Sequence, residues 1–195
     1  MSDENSPIEA PIATGNGKLA YLGEVVRFAL MVAVVLLPVR LFIAKPFIVS
    51  GESMHPTFES GDYLVIDEIT YKFNEPKRGE VVVFKYPNDL SKYFIKRIIG
   101  LPKETVTIED GRVEITSPDS KAKIILNEPY IADITRNNTT KTLKDDEFFV
   151  MGDNRPASLD SRSWGAMPRT DLVGRALLRL YPLNKIGLHP GYFNP

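Results

Sequence analysis

The chain has 195 residues, 43% of them hydrophobic and 25% charged, which describes a folded domain with room for an insert or a tail. A net charge of -1 gives no global reason to expect a nucleic-acid partner, whose phosphates would favour a basic face. The absence of cysteine excludes disulfides, thiolate nucleophiles and Cys-ligated metals, and the two histidines, His55 and His189, lack the spacing of a catalytic zinc site.

Residues 1–18 are rich in Pro, Gly, Ser, Asn and acids without apolar periodicity, and read as a flexible polar tail. An uncharged run from Phe28 to Val39 follows, prolonged past Arg27 by Val25 and Val26 and past Arg40 by Leu41 to Ala44. A helix needs roughly 20 residues to span hydrocarbon. The stretch from Tyr21 to Ala44 supplies them if Arg27 and Arg40 reach outward to the headgroups. Residues 19–45 are therefore expected to form a transmembrane anchor, with a buried core helix or a signal-peptide apolar region as the other readings. A cleavable signal needs small residues at A-x-A spacing after the run, which Ile43-Ala44-Lys45-Pro46 does not supply. Lys18 and Arg27 on one side match Arg40 and Lys45 on the other, so charge does not orient the segment.

After Lys45 the pattern becomes that of strands. Tyr63 to Ile66, Glu80 to Lys85, Tyr93 to Ile99 and Glu147 to Met151 are apolar runs bounded by turn residues. Val106 to Ile115 is two β-rich arms around Asp110-Gly111, a dipeptide suited to a two-residue hairpin turn. Residues 116–145 are more polar, with loops at Asn137-Asn138 and Lys144 to Asp146. Leu172 to Tyr181 fits a strand or a short helix, and its Val-Gly-Arg-Ala opening favours strand. The fold class is mainly β, with an antiparallel sheet.

Three stretches carry chemistry. Val49-Ser50-Gly51-Glu52-Ser53-Met54-His55-Pro56-Thr57 sets a serine on a strand-like segment beside a glycine and ahead of a proline; an ordinary strand-to-turn junction reads the same. In Tyr93-Phe94-Ile95-Lys96-Arg97-Ile98-Ile99, strand alternation places Lys96 and Arg97 on opposite faces. A lysine embedded in apolar residues loses hydration, its pKa falls, and the neutral amine can accept a serine proton. The competing reading is an edge-strand lysine reaching to water. Met151 to Gly165 is a dense polar loop after a buried strand, with Asp160 and Arg162 within reach of each other; it reads as a structural turn or as support for a catalytic group. A His-based triad is the internal alternative: His55 falls on the same strand face as Ser53, and His189 lies in a Pro/Gly-rich tail.

Taken together, Ser53-Met54-x-Pro56-Thr57, Lys96-Arg97-x-x-Gly100-Leu101-Pro102 and Gly152-Asp153-Asn154-Arg155-x-x-Ser158-x-Asp160-Ser161-Arg162 resemble, in order and spacing, the bacterial type I signal peptidases. The resemblance implies a Ser/Lys protease with an N-terminal anchor and a mainly β catalytic domain outside the cytoplasm, in the cell membrane. It implies a catalytic domain of residues 46–102 and 147–195 and a smaller β-rich lobe inserted at 103–146. Ser53 matches the nucleophile and Lys96 the general base, with Arg97 pointing away; Ser158 matches a hydroxyl that orients the amine. Asp160 and Arg162 match a supporting pair, and Gly152, Asp153 and Asn154 a structural turn. The family cleaves preproteins after small residues at A-x-A spacing, and Phe47, Val49, Met54, Phe94 and Ile95 fall where its S1 and S3 pockets are walled. The implied partners are signal peptides at the membrane and membrane lipid, with no metal and no organic cofactor. Two residues before the nucleophile, where Gram-negative members place an oxyanion-stabilising serine, this chain has Gly51, closer to the Gram-positive pattern. The Ser53 N–H is expected to donate, with a second donor at a backbone N–H near Gly51, the Ser50 hydroxyl or a water. Rival readings are a self-cleaving Ser/Lys repressor, disfavoured because residues 1–44 hold no helix-turn-helix, and a silent anchored homologue, disfavoured by the presence of both Ser53 and Lys96.

Overall fold

The computed structural model describes residues 17–38, 44–119, 121–135 and 138–193. It divides into two units, residues 1–40 and 41–195. In the first, helix α1 spans Gly17–Pro38. Its apolar side chains from Tyr21 to Val34, including Phe28, Leu30 and Met31, are mostly exposed. Among the described residues no helix is long and apolar enough to cross a membrane. Of the polar tail expected at 1–18, residues 1–16 lie outside the described residues and Gly17 and Lys18 instead open α1; the part of the anchor at 39–43 also lies outside them. Ala44 and Lys45, assigned to the anchor by sequence, instead open a strand.

The second unit is antiparallel β throughout. Its strands are β1 (Ala44–Ile48), β2 (Tyr63–Asp67), β3 (Val81–Tyr86), β4 (Asp89–Gly100), β5 (Thr105–Glu109), β6 (Arg112–Thr116), β7 (Lys123–Ile125), β8 (Thr139–Thr142), β9 (Glu147–Met151), β10 (Met167–Pro168), β11 (Leu172–Tyr181) and β12 (Gly187–Leu188). Two one-turn helices, α2 (Thr70–Phe73) and α3 (Ser161–Trp164), interrupt them. The larger sheet has the order β1-β2-β11-β3-β4-β9-β10, with β12 added to β11; the smaller has the order β7-β6-β5-β8.

Burial explains why the central strands read as continuous apolar runs. Val81, Val82, Val83 and Phe84 are all buried because β3 is covered on both faces. Val81 and Val83 join a core with Leu64, Ile66, Met54 and Phe58, whereas Val82 and Phe84 join Ile98, Phe148 and Val150. A third core gathers Ile99, Phe149 and Met151 with Val106, Ile108, Val113 and Ile115 of the smaller sheet. That sheet thus packs its apolar face on β4 and β9, each buried aromatic or aliphatic side chain contributing about 1.5–3 kcal/mol. In the β5–β6 turn Asp110 and Gly111 both have positive φ, 48° and 81°, the conformation a two-residue hairpin requires. Strands β7 and β8 lie in the more polar stretch 116–145, and α3 in the polar loop after β9, where the sequence marks no individual element.

Candidate active site

Ser53 lies in a compact turn that leaves β1, not on a strand as its sequence suggests. The His55 N–H donates to Glu52 O at 3.0 Å and the Phe58 N–H to Met54 O at 2.9 Å. Met54 and Phe58, both fully buried, pin this turn into the core, which leaves Ser53 half-buried at its edge. His55 belongs to the same turn with its side chain exposed, so the strand-face argument that paired it with Ser53 falls away.

Lys96 approaches from β4, where its backbone pairs with Val82. It is only 4% exposed. Its Nζ lies 2.6 Å from Ser53 Oγ and donates to Ile95 O at 2.9 Å, with the Phe94 ring 5.3 Å away. Loss of hydration pushes its pKa down to about 8, partly offset by the carboxylates of Asp160 and Asp153, which favour the ammonium. A neutral amine is therefore accessible near neutral pH.

The neighbouring Arg97 turns to the other face and is wholly buried. Its guanidinium grips Asp153 through two hydrogen bonds, 2.8 Å and 2.6 Å, and also donates to Gly79 O and Gly191 O. Tyr130 stacks against it at 3.8 Å. Asp153 in turn accepts from Thr57 Oγ1 at 2.5 Å. The next residue, Asn154, donates its backbone N–H to Ser53 O at 3.1 Å and its side-chain amide to Glu52 O at 3.0 Å. The loop after β9 therefore clasps the serine turn from both sides. Gly152 has to be glycine there: a Cβ would lie 2.3 Å from both Ser53 O and Ser158 Oγ.

Asp160 is fully buried and caps α3 while accepting the Gly152 N–H at 3.0 Å. Arg162 holds it through two bonds of 2.8 Å. Burial favours the neutral acid, but the Arg162 hydrogen bond and charge outweigh it and keep the carboxyl below its ordinary range. The Ser158 hydroxyl is buried close by and helps to hold the Asp160 carboxyl ionised, while Lys96 Nζ contacts Ser53 and Ile95.

Of the pocket-wall residues, Phe47, Val49, Phe94 and Ile95 line a cavity of about 100 Å³. Met54 is instead in the core, 1% exposed, beneath the serine turn. Ser50 joins that cavity to an open cleft of about 450 Å³ bounded by Gly51, Glu52, Ser53, Lys96 and Leu159. The Gly51 N–H faces Ser60 Oγ at 3.4 Å. Sequence reasoning missed Tyr130 and Glu128, and gave no role to Thr57 and Arg155, which stand in its motifs. Arg155, buried, donates to Gly152 O at 3.2 Å and pairs with Glu128, which also accepts from Tyr130 Oη at 2.8 Å. Glu128 sits in a polar stretch where no spacing marks it.

An antiparallel β protein with a serine hydroxyl against a buried, neutralisable lysine has the arrangement of a serine hydrolase in which an amine takes the usual place of histidine. Comparison with known proteins narrows the class. The family described as signal peptidase, peptidase S26, matches residues 22–181. A probable signal peptidase I-1 of Synechocystis sp. is 34% identical over 191 residues, covering 94% of this chain and 91% of its own length. A signal peptidase I of Leptolyngbya laminosa is 38% identical, covering 79% and 77%, and one of Bacillus amyloliquefaciens is 32% identical, covering 81% and 88%. The chain belongs to the signal peptidase family, peptidase S26, a family of serine endopeptidases.

Proposed function

We propose that the protein is a membrane-anchored endopeptidase that removes signal peptides from secreted preproteins after small residues at A-x-A spacing. The observation that carries this reading is the 2.6 Å contact between Lys96 Nζ and Ser53 Oγ, with the amine buried and its pKa near 8. Neutral Lys96 takes the Ser53 proton as Oγ attacks the scissile carbonyl, and backbone N–H groups of the serine turn receive the oxyanion. The C–N bond then breaks as the Lys96 ammonium protonates the leaving amine. Water, deprotonated by the same amine, attacks the acyl-serine and releases the signal peptide as a carboxylate.

The small cavity between Phe47, Val49, Phe94 and Ile95 has a volume of about 100 Å³, which suits a methyl side chain and excludes a bulky one. Asp153, Asn154, Gly152, Asp160 and Arg162 hold the geometry rather than reacting. The apolar segment of which α1 is the described part, continued in the sequence by Val39 and, past Arg40, by Leu41 to Ile43, serves as a single-pass anchor, with the catalytic unit on the extracytoplasmic side; the uncovered apolar side chains of α1 support that role. The test is cleavage of a preprotein whose signal ends in A-x-A by wild type, Ser53→Ala and Lys96→Ala. Loss of cleavage in both variants is expected, and intact cleavage in either would overturn the dyad.

A further inference from the structure

Beyond the small cavity lies a second cavity of about 420 Å³ that the peptidase reading leaves unused. The two share Phe47 and Tyr93, whose rings meet edge to face at 5.6 Å and stand between them. A substrate lying extended along β1 from the cleft at Ser53 therefore passes this aromatic pair and enters the larger space. Ser50 borders the cleft, just past the end of β1, and Lys45 borders the larger cavity, five residues earlier in the chain. At about 3.3 Å per extended residue the five steps reach up to about 16 Å, which puts Lys45 level with about the fifth or sixth residue of an extended substrate upstream of the scissile bond.

The walls of this cavity are cationic in a chain whose net charge is -1. Lys45, Lys72, Lys85 and Arg169 line it, against two acids, Glu68 and Asp171. Glu68 is already engaged by Lys45 at 3.0 Å, and Arg169 pairs with Glu75 outside the cavity. Lys72 and Lys85 are exposed and, among the described residues, in no ion pair, against one carboxylate of the lining, Asp171, that is likewise in none, so the unpaired charge of the walls is positive on balance. We infer that this cavity is a subsite for an acidic side chain, Asp or Glu, five or six residues upstream of the cleavage point, and that it disfavours Lys or Arg there. The inference rests on the peptidase reading, since it presumes that the upstream chain runs between β1 and β4. Lys72 and Lys85 attract a carboxylate as it enters, and the Phe47–Tyr93 pair separates it from the small-residue pocket.

Three peptides with the same A-x-A motif, carrying Glu, Gln or Lys six residues upstream of the cut, test it on wild type and on a Lys72→Glu/Lys85→Glu double variant of the full chain. Wild type is expected to cleave the Glu peptide about fivefold faster than the Lys peptide in kcat/KM, mainly through KM and shrinking with added salt. The double variant is expected to erase or invert that ratio. Because the readout is a ratio within each enzyme form, a general loss of folded protein leaves it legible. Equal cleavage of all three peptides by wild type, or an unchanged ratio in the variant, would overturn the subsite alone. Cleavage of none of them by wild type would overturn the peptidase reading and the subsite with it.

Discussion

On the proposed mechanism the apolar cover over Lys96 sets the pH at which the site works, and Phe94→Ala tests that cover. Burial brings the amine from an ordinary 10.5 down to about 8. At pH 7 that leaves about one molecule in ten with a neutral lysine, against about one in three thousand for a solvated one. Phe94 lies 5.3 Å from the amine and lines both the small cavity and the cleft. Its removal admits water, and partial rehydration is expected to raise the Lys96 pKa by about one unit, lowering the neutral fraction at pH 7 about tenfold. The ring also favours the ammonium through its π face, which opposes the shift, but desolvation is the largest influence on this lysine. The assay is kcat/KM for a small-residue peptide across pH 6 to 11, which reports the free enzyme's ionisations. The absolute rate falls because a pocket wall is lost, so the midpoint is the readout. Wild type should rise through about pH 8 and the variant through about pH 9. A midpoint that stays put or moves to lower pH would refute the claim that desolvation holds the amine neutral.

Lys96→Met should stabilise the fold at pH 7 by about 3 kcal/mol in chemical denaturation, because a buried cation is replaced by an apolar side chain of similar length. Between pH 8 and 10.5 the unfolded chain keeps a proton that the folded one has lost, so wild-type stability rises with pH there; the wild-type-minus-variant difference should close over that window. Asp153→Ala leaves Arg97 buried without its carboxylate, at a cost of about 3–5 kcal/mol, so thermal unfolding should move down by about 10 °C. Gly152→Ala should cut kcat more than tenfold with an unchanged far-UV circular dichroism spectrum, since its Cβ collides with the Ser53 carbonyl.

Much of the catalytic unit was written in local pattern. The runs at Tyr63, Glu80, Tyr93, Glu147 and Leu172 became strands because apolar residues at those spacings have only a sheet face or a core to enter. The hairpin at Asp110-Gly111 followed from backbone conformation alone. Other features depend on distant partners. Strands β7 and β8 carry Lys, Thr and exposed Ile, and take strand form because β6 and β5 offer them free edges. The serine segment became a turn because Met54 and Phe58 are drawn into the core, a fact that its Ser-Gly-Glu-Ser spelling does not carry. Placing Lys96 and Arg97 on opposite faces required only strand alternation. That Arg97 closes on Asp153, 56 residues later, required the sheet order.

The contacts around Arg97 also bear on when the site can exist. Its guanidinium reaches Gly191, 94 residues further along the chain, and Arg179 reaches back 122 residues to Thr57 in the serine turn. Such long closures come late in folding, because chain entropy is lost before the contacts return anything. A chain emerging from the ribosome carries Ser53 and Lys96 long before the residues that lock Arg97 and the serine turn. The frame around Ser53 and Lys96 is thus complete only once late-synthesised residues have joined it.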